Sequence, residues 1–307
     1  MGDAEQKTMQ ELLKMSIKYS DAESKPLKPS EIDPERKEFV QNAINEVLEE
    51  DDYKKLVIWT NKFLTFTHTD IFNEQQLEEI SQVFEGINFL LEGMDVPIDF
   101  QKLGGLKHCL SLLRSQYSSV QWRAADTIAN SVQNIPKNQY AIIEEKGFET
   151  LLYILKQTDV DVVMVKCLYA LSGLLGGNTV GEKLFVDLKG VNKVTPLLLH
   201  ENAKVRLKVA LLLRKMVYSE TVRFVTNKCE IARNCVTCLR MPHDGSHEVI
   251  ADILLSLMQA NESIRDECRK DTDLKTFLGS RKEELNQEDK EMYEDVVVMY
   301  DKIQLLL

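Results

Sequence analysis

Several features are scarce in this sequence, and each absence excludes a class of protein. Lys and Arg total 38 against 49 Asp and Glu, a net charge of −11, which argues against nucleic acid or an anionic membrane as the main partner. No apolar run approaches the ~20 residues that cross a membrane. Residues 1–9 lack the apolar core of a secretory signal, so we expect a cytoplasmic protein.

Cysteines and catalytic motifs are also sparse. A cluster with one C-x-x-C pair could supply zinc ligands: Cys229, Cys235, Cys238, His243 and His247. No second pair matches it, and the helical spacing of Cys235 and Cys238 favours a place in the core. The glycines of residues 173–181 lack the strand and the Lys-Ser/Thr of a phosphate loop. We therefore expect no enzyme, no bound metal and no cofactor.

What the sequence does contain is a repeat. Gly105, Gly147 and Gly190 each open a similar apolar helix pattern, 42 and 43 residues apart. A period near 42 indicates a solenoid of stacked helical units. We expect each glycine to lie at a helix junction and to take the left-handed conformation there, which costs glycine no steric strain.

This repeat predicts an all-α fold, an armadillo-like right-handed superhelical solenoid of three-helix repeats with helical caps at both ends. Three clear units fall at about residues 96–138, 139–180 and 181–220, and in a weaker fourth unit Cys229 stands where Gly190 stood. We expect the domain to span residues 35–307, divided as follows: amino-terminal helices over 35–95, four repeats over 96–260 and a carboxyl-terminal cap over 261–307, whose last helix starts near Asn286.

Residues 1–34 are predicted to form a separate flexible segment. Residues 20–34 contain three of the seven prolines, which is typical of a linker. Before them, residues 8–19 favour a short amphipathic helix with one apolar face: Met9, Leu12, Leu13 and Ile17. A tethered apolar helix of this kind suits recognition of a partner; the alternative is a frayed terminus without a function.

Three cations recur at one place in the third helices. Arg123, Lys166 and Lys208 are 43 and 42 residues apart, each within an apolar helix pattern. In armadillo stacks the third helices line the concave face, so these residues predict a cation ladder along that face. Such a ladder would bind an acidic partner surface and orient it. The alternative is that each cation pairs with a carboxylate of the neighbouring unit, which contributes ~0–1 kcal/mol at the surface.

The first two repeats are specific enough to indicate a family. The run Leu91-Glu92-Gly93-Met94-Asp95, the run Asp99-Phe100-Gln101-Lys102-Leu103-Gly104-Gly105-Leu106, Trp122-Arg123-Ala124-Ala125, Gln133-Asn134 and Val165-Lys166-Cys167-Leu168-Tyr169-Ala170 resemble the armadillo-type nucleotide exchange factors of heat-shock protein 70 (Hsp70). The resemblance implies a monomeric co-chaperone whose concave face binds the Hsp70 ATPase domain and loosens ADP. The residues implied for chaperone binding are Asp95, Arg123, Lys166 and Lys208. Those implied for release of the chaperone's polypeptide are Met9, Leu12, Leu13 and Ile17.

The sequence departs from the pattern of that family at two places, and a second class of armadillo protein is an alternative. Val96-Pro97 stands where the family usually has a small polar pair, and Pro196 lies inside the second helix of the third unit, where we expect a kink. The rival is an armadillo adaptor that binds extended peptides, as nuclear-import receptors do through a repeated tryptophan and asparagine pattern. Trp122 is followed at the equivalent places by Val165 and Leu207, which counts against that class.

Overall fold

The protein is helical throughout the part of the chain that the structure, a computed structural model, describes: residues 52–69, 71–219, 228–289 and 291–307. These residues contain sixteen α-helices, one 3₁₀ helix and no strand. Residues 55–307 form one compact unit. The helix predicted over residues 8–19 and the linker that follows it lie outside the described residues.

The helices up to the end of the second repeat are α1 Asp52–Thr67, α2 Glu74–Leu90, α3 Val96–Lys102, α4 Gly105–Leu112, α5 Ser118–Val132, α6 Pro136–Glu144, α7 Gly147–Gln157 and α8 Asp161–Leu175. The remaining elements are α9 Thr179–Asp187, α10 Gly190–Val194, the 3₁₀ helix Thr195–Leu199, α11 Ala203–Tyr218, α12 Lys228–Leu239, α13 His247–Ala260, α14 Glu262–Arg269, α15 Leu274–Glu288 and α16 Glu294–Leu306. None of the helices in the described residues is long and apolar enough to cross a membrane.

The three predicted three-helix units are present as α3–α5, α6–α8 and α9–α11. The last helix of each unit packs against the last helix of the next, and α2 and α13 extend the series at its two ends. We call the helices α2, α5, α8, α11 and α13 the third-helix row. Their apolar stripes are buried in one continuous core, which extends into α13 of the fourth unit through Val249, Ile253, Leu254 and Leu257.

The junction glycines lie where the repeat predicted them, because each is the first residue of a second helix: Gly105 of α4, Gly147 of α7 and Gly190 of α10. The conformation expected of them is wrong. The residue before each glycine has the left-handed backbone instead, with φ of 81° at Gly104, 58° at Lys146 and 56° at Lys189.

The glycines are required for close packing. A Cβ atom on Gly147 would lie 2.2 Å from Cγ2 of Ile142, and one on Gly105 would lie 2.1 Å from the ring of Phe100. Both distances are far inside van der Waals contact, so a side chain there would separate the first helix of the unit from the second. The repeated glycine is therefore required because two helices lie close together, and the residue before it makes the turn.

The two prolines that depart from the family pattern have local explanations. Pro97 lies in the first turn of α3, where a missing N–H group breaks no hydrogen bond of the helix. Pro196 does interrupt its helix, as predicted: α10 ends at Val194 and the chain continues as a 3₁₀ helix from Thr195. Neither proline changes the order of helices in its unit.

Buried amides join the units to one another. The side-chain amide of Asn138 donates hydrogen bonds of 2.8 Å to the carbonyls of Pro97 and Ser131. The neighbouring Gln139 donates to the carbonyl of Gly173 at 2.9 Å. These bonds satisfy carbonyl groups at α3 and at the ends of α5 and α8, and so fix how α6 lies between them.

The carboxyl-terminal helix begins later than predicted. Asn286 belongs to α15, and α16 starts at Glu294. Between them Asp289 accepts hydrogen bonds from the backbone N–H groups of Glu291 and Met292, at 3.1 and 3.0 Å. A side chain that binds the backbone two and three residues ahead favours a turn over a continuing helix.

Candidate partner-binding surface

The cation ladder predicted from the sequence lies on three adjacent helices. Arg123 is on α5, Lys166 on α8 and Lys208 on α11, and these helices pack side by side. The two residues that follow each cation are buried in the core, so each cation stands at the rim of the buried stripe of its helix. The structure therefore brings the three predicted residues into one line across the third-helix row.

Each cation contacts the same position on the preceding helix of the row. We call the residues at this position the facing residues; they are 41 and 43 residues apart: Glu85 on α2, Asp126 on α5 and Tyr169 on α8. Sequence reasoning missed them because their chemistry changes from unit to unit. Their spacing was the signal that could have revealed them.

Arg123 makes an ion pair in which only the carboxylate is well exposed, since its own side chain is 18% exposed. Its Nη2 atom lies 3.6 Å from Oε1 of Glu85, whose side chain is 71% exposed. Its guanidinium carbon also lies 4.3 Å from the centre of the Trp122 ring, and its Nη1 atom donates to the carbonyl of Ser119 at 3.1 Å. Because the carboxylate is in water, contacts within α5 hold this side chain more firmly than the ion pair does.

Lys166 makes a closer ion pair, and its carboxylate partner is less exposed than Glu85. Its Nζ atom donates to Oδ1 of Asp126 at 2.7 Å, and the two side chains are 29% and 17% exposed. The carboxylate cancels the charge of the ammonium at this distance. The alternative raised from the sequence, pairing with a carboxylate of the neighbouring unit, is therefore realised for Arg123 and Lys166.

Lys208 differs from the other two cations. Its Nζ atom lies 4.8 Å from the centre of the Tyr169 ring, an arrangement typical of a cation–π contact. Within the described part of the chain, no carboxylate forms an ion pair with Lys208. It is therefore the member of the ladder whose positive charge is not cancelled by a described residue.

Beyond Lys208 the contacts between neighbouring helices of the row change. Two side chains of α11 reach the same carboxylate on α13: Nε of Arg214 lies 2.8 Å from Asp252 Oδ2, and the Tyr218 hydroxyl donates to Oδ1 at 2.8 Å. The hydrogen bond to Asp252 raises the pKa of Tyr218, in addition to the effect of burial, which is larger. These three residues were not among those predicted from the sequence.

The other predicted site residues lie elsewhere. Asp95 is an exposed residue on the loop between α2 and α3, directly before the first residue of α3, and its side chain makes no capping hydrogen bond. It is therefore not on the third-helix row. Residues proposed for polypeptide release lie outside the described residues: Met9, Leu12, Leu13 and Ile17.

Two of the three cysteines considered as zinc ligands belong to the core, whereas Cys229 is exposed. Cys235 and Cys238 are fully buried in α12, as the helical spacing predicted. Burial raises the pKa of both thiols, that of Cys238 to about 11. Across the described ranges, no three His, Cys, Asp or Glu side chains are grouped as metal ligands would be.

A buried ion pair links α11 to the loop before α13. Arg206 donates from Nη2 to the carboxylate of Asp244, and from Nη1 to the carbonyls of His200 and Glu201 at 2.6 and 2.7 Å. Burial acts to raise the pKa of Asp244, but hydrogen bonds from Ser246 and Arg206 outweigh it and lower the pKa to about 2. This pair is largely removed from solvent and links neighbouring units.

These features first define a class of protein. The chain is an armadillo-like repeat protein, and the predicted fold class is confirmed by its likeness to a crystal structure of computationally designed armadillo repeat proteins for modular peptide recognition. The TM-score is 0.64 at 13% identity, over 82% of this chain and 99% of the designed one. At this identity the likeness concerns the fold alone.

Comparison with known sequences then shows which family the chain resembles. Residues 98–235 match the family model described as SIL1/FES1/HPBP1 C-terminal domain. The chain is 26% identical over 310 residues to Hsp70-binding protein 1 of Mus musculus, which covers 97% of this chain and 85% of that protein. It is 35% identical over 108 residues to Hsp70 nucleotide exchange factor fes1 of Schizosaccharomyces pombe, over 35% of this chain and 38% of that protein. The family resemblance predicted from the sequence is confirmed.

Proposed function

We propose that this protein is a co-chaperone that binds Hsp70 and acts as its nucleotide exchange factor. The observation that carries the proposal is the match of residues 98–235 to the SIL1/FES1/HPBP1 C-terminal domain, a segment that contains the whole cation ladder. Support also comes from relatives whose names state Hsp70 binding and Hsp70 nucleotide exchange.

The surface that we propose for the chaperone is the third-helix row, and its partner is the ATPase domain. Lys208 supplies positive charge that no described carboxylate cancels, while Arg123 and Lys166 are already paired. An acidic surface on the ATPase domain would be attracted to such a row and oriented by it. Asp95, on a neighbouring loop, is a further proposed contact.

The proposed activity is a change in conformational populations and requires no catalytic residue. The factor must bind one conformation of the ATPase domain more tightly than the conformation that retains ADP. The coupling is reciprocal, so a factor that weakens ADP binding is itself bound less tightly when ADP is present. A 100-fold effect on ADP affinity corresponds to about 2.7 kcal/mol of coupling free energy.

The wider setting is proposed on the same basis. The net charge of −11 favours a protein partner over nucleic acid or an anionic membrane. We place the protein in the cytosol as a monomer. The apolar residues of the amino-terminal segment, which lies outside the described residues, would occupy the polypeptide site of the chaperone and promote its release.

The experiment that tests this function is stopped-flow release of a fluorescent ADP analogue from Hsp70. We expect the 307-residue chain to accelerate release by about 100-fold, the change that would follow if weaker ADP binding appears wholly as faster release. A folded, helical protein that leaves the release rate unchanged would contradict the proposal. A peptide-array signal in that case would favour the adaptor class.

Deleting residues 1–34 separates the two proposed parts. ADP release should stay close to that of the full chain, whereas release of a labelled polypeptide from Hsp70 should slow. Polypeptide release at the full-length rate would show that the amino-terminal segment has no such role.

A further inference from the structure

The facing position shows how the charge of the ladder is distributed. Its residue is a carboxylate in two cases, Glu85 and Asp126, and a neutral aromatic ring in the third, Tyr169. A carboxylate beside an ammonium gives a pair with no net charge, whereas a ring attracts the cation through its quadrupole and leaves one full positive charge. The residue at the facing position therefore determines whether the neighbouring cation is neutralised or keeps its positive charge.

We propose that Tyr169 is a positioning residue that orients the Lys208 ammonium without cancelling its charge, and that the junction of α8 and α11 is where an acidic surface of the partner binds. The proposal rests on the proposed function for the identity of that partner. What it adds is the role of the facing residue Tyr169 in this chain. Asp126, at the equivalent position on α5, has the opposite effect, because it neutralises Lys166.

The surroundings of the two residues support this assignment. The Tyr169 ring packs against the buried core, and its helix α8 packs against α11. A lysine side chain carries four rotatable bonds, and a fixed ring beneath the ammonium reduces the ordering cost on binding. Because the charge stays uncancelled, it also contributes to long-range attraction of an acidic partner.

The test changes the facing residue and leaves Lys208 in place. Tyr169→Asp would copy the arrangement of Asp126 with Lys166 and should lower the association rate constant for the Hsp70 ATPase domain by about 3- to 10-fold at low ionic strength. Tyr169→Phe keeps the ring and should stay within about twofold of the original protein. Tyr153→Asp is the matched control, since Tyr153 is 60% exposed on α7 and the change in net charge is identical.

Asp126→Asn is the converse change. It removes the carboxylate that holds Lys166 and should raise the association rate about 2- to 5-fold at low ionic strength. All these effects should shrink at about 0.15 M salt, where the Debye length is about 8 Å. Circular dichroism and thermal melting establish that each variant is folded.

A second probe separates failure of this inference from failure of the proposed function. Each variant is also titrated with a fluorescent glutamate-rich peptide at low ionic strength, which does not depend on Hsp70. If the original protein releases ADP normally but Tyr169→Asp binds the ATPase domain and the peptide no worse than Tyr153→Asp does, the inference is wrong and the function stands. If ADP release is not accelerated while Tyr169→Asp alone loses peptide affinity, the function is wrong and the inference stands. Loss of affinity in Tyr169→Phe as large as in Tyr169→Asp would also overturn the inference.

Discussion

Two ion pairs join α5 to α2 and α11 to the loop before α13, and they differ in the access of their carboxylates to water. The pair of Arg123 with Glu85 lies at the surface of the third-helix row. The pair of Arg206 with Asp244 is enclosed between α11 and the loop before α13, with side chains 6% and 18% exposed. The hydrated carboxylate of Glu85, 71% exposed, can change partner at little cost. Neither charge of the second pair is hydrated in this way, so loss of its partner carries a large penalty. The first pair therefore suits a recognition surface, and the second holds the stack together.

The largest expected difference comes from removing the arginine of the buried pair. Arg206→Met would leave the carboxylate of Asp244 without its cation and the carbonyls of His200 and Glu201 without a donor. The free energy of unfolding should fall by about 3–5 kcal/mol. Urea denaturation followed by circular dichroism measures this. A loss below about 1 kcal/mol would mean that the site relaxes enough to admit water.

Acid should also weaken the enclosed region more than the exposed one. Burial lowers the pKa of His243 to about 4, from an ordinary value of 6.5, with further lowering by His247 and Arg281 and opposition from Asp244. The folded state therefore keeps this ring neutral over a pH range in which the unfolded chain binds a proton. Stability should be constant above about pH 6.5 and should decline as the pH falls towards 4. Allowing for solvent around the half-buried ring, the loss by about pH 5 should be about 1 kcal/mol.

The variant that checks this acid dependence is His243→Gln, whose amide does not titrate. Its urea midpoint should change less than that of the original protein between about pH 7.5 and about pH 5. Below about pH 4 both proteins should weaken further, because the pKa of Asp244 is lowered to about 2 and its protonation costs stability only in that range. Equal slopes between about pH 6.5 and about pH 4 would exclude His243 as the source.

The smallest effect is expected at the exposed pair. Arg123→Met removes the partner of Glu85 but leaves a side chain that can still pack against Trp122. The free energy of unfolding should change by less than about 1 kcal/mol. Since the substitution is the same as in Arg206→Met, the two urea curves compare the two settings directly. Similar losses in both would remove the distinction between them.

The repeating parts of this molecule could be predicted from the sequence because they follow from helical periodicity. The apolar residues that follow Gly147 at helical spacing, Phe148, Leu151 and Leu152, are buried. The spacing of Lys166 and Lys208 predicted one line across adjacent helices. A pattern that recurs in several units is hard to mistake, because chance rarely repeats it.

The side-chain contacts between units could not be predicted from the sequence in this way. The residue that a cation touches depends on the axial offset of two neighbouring helices, and nothing in one helix alone specifies that offset. Tyr169 and Asp126 therefore looked unrelated until the packing brought each beside a lysine. The glycine junctions show the same limit. Glycine is required at position 147 because Ile142 packs against it, which is a tertiary contact. The left-handed turn is made by the preceding residue, Lys146.

The central claim is that the third-helix row binds the Hsp70 ATPase domain, and Lys208 gives the most direct test of it. Lys208→Glu reverses a charge that is not tied to a described carboxylate, unlike a change at Lys166, which would also place two like charges together. Its control is Lys156→Glu, an exposed lysine on α7. In stopped-flow ADP release from Hsp70, Lys208→Glu should need at least about tenfold more protein to reach half-maximal acceleration, while Lys156→Glu should match the original. Equal titration curves for both variants would contradict the claim.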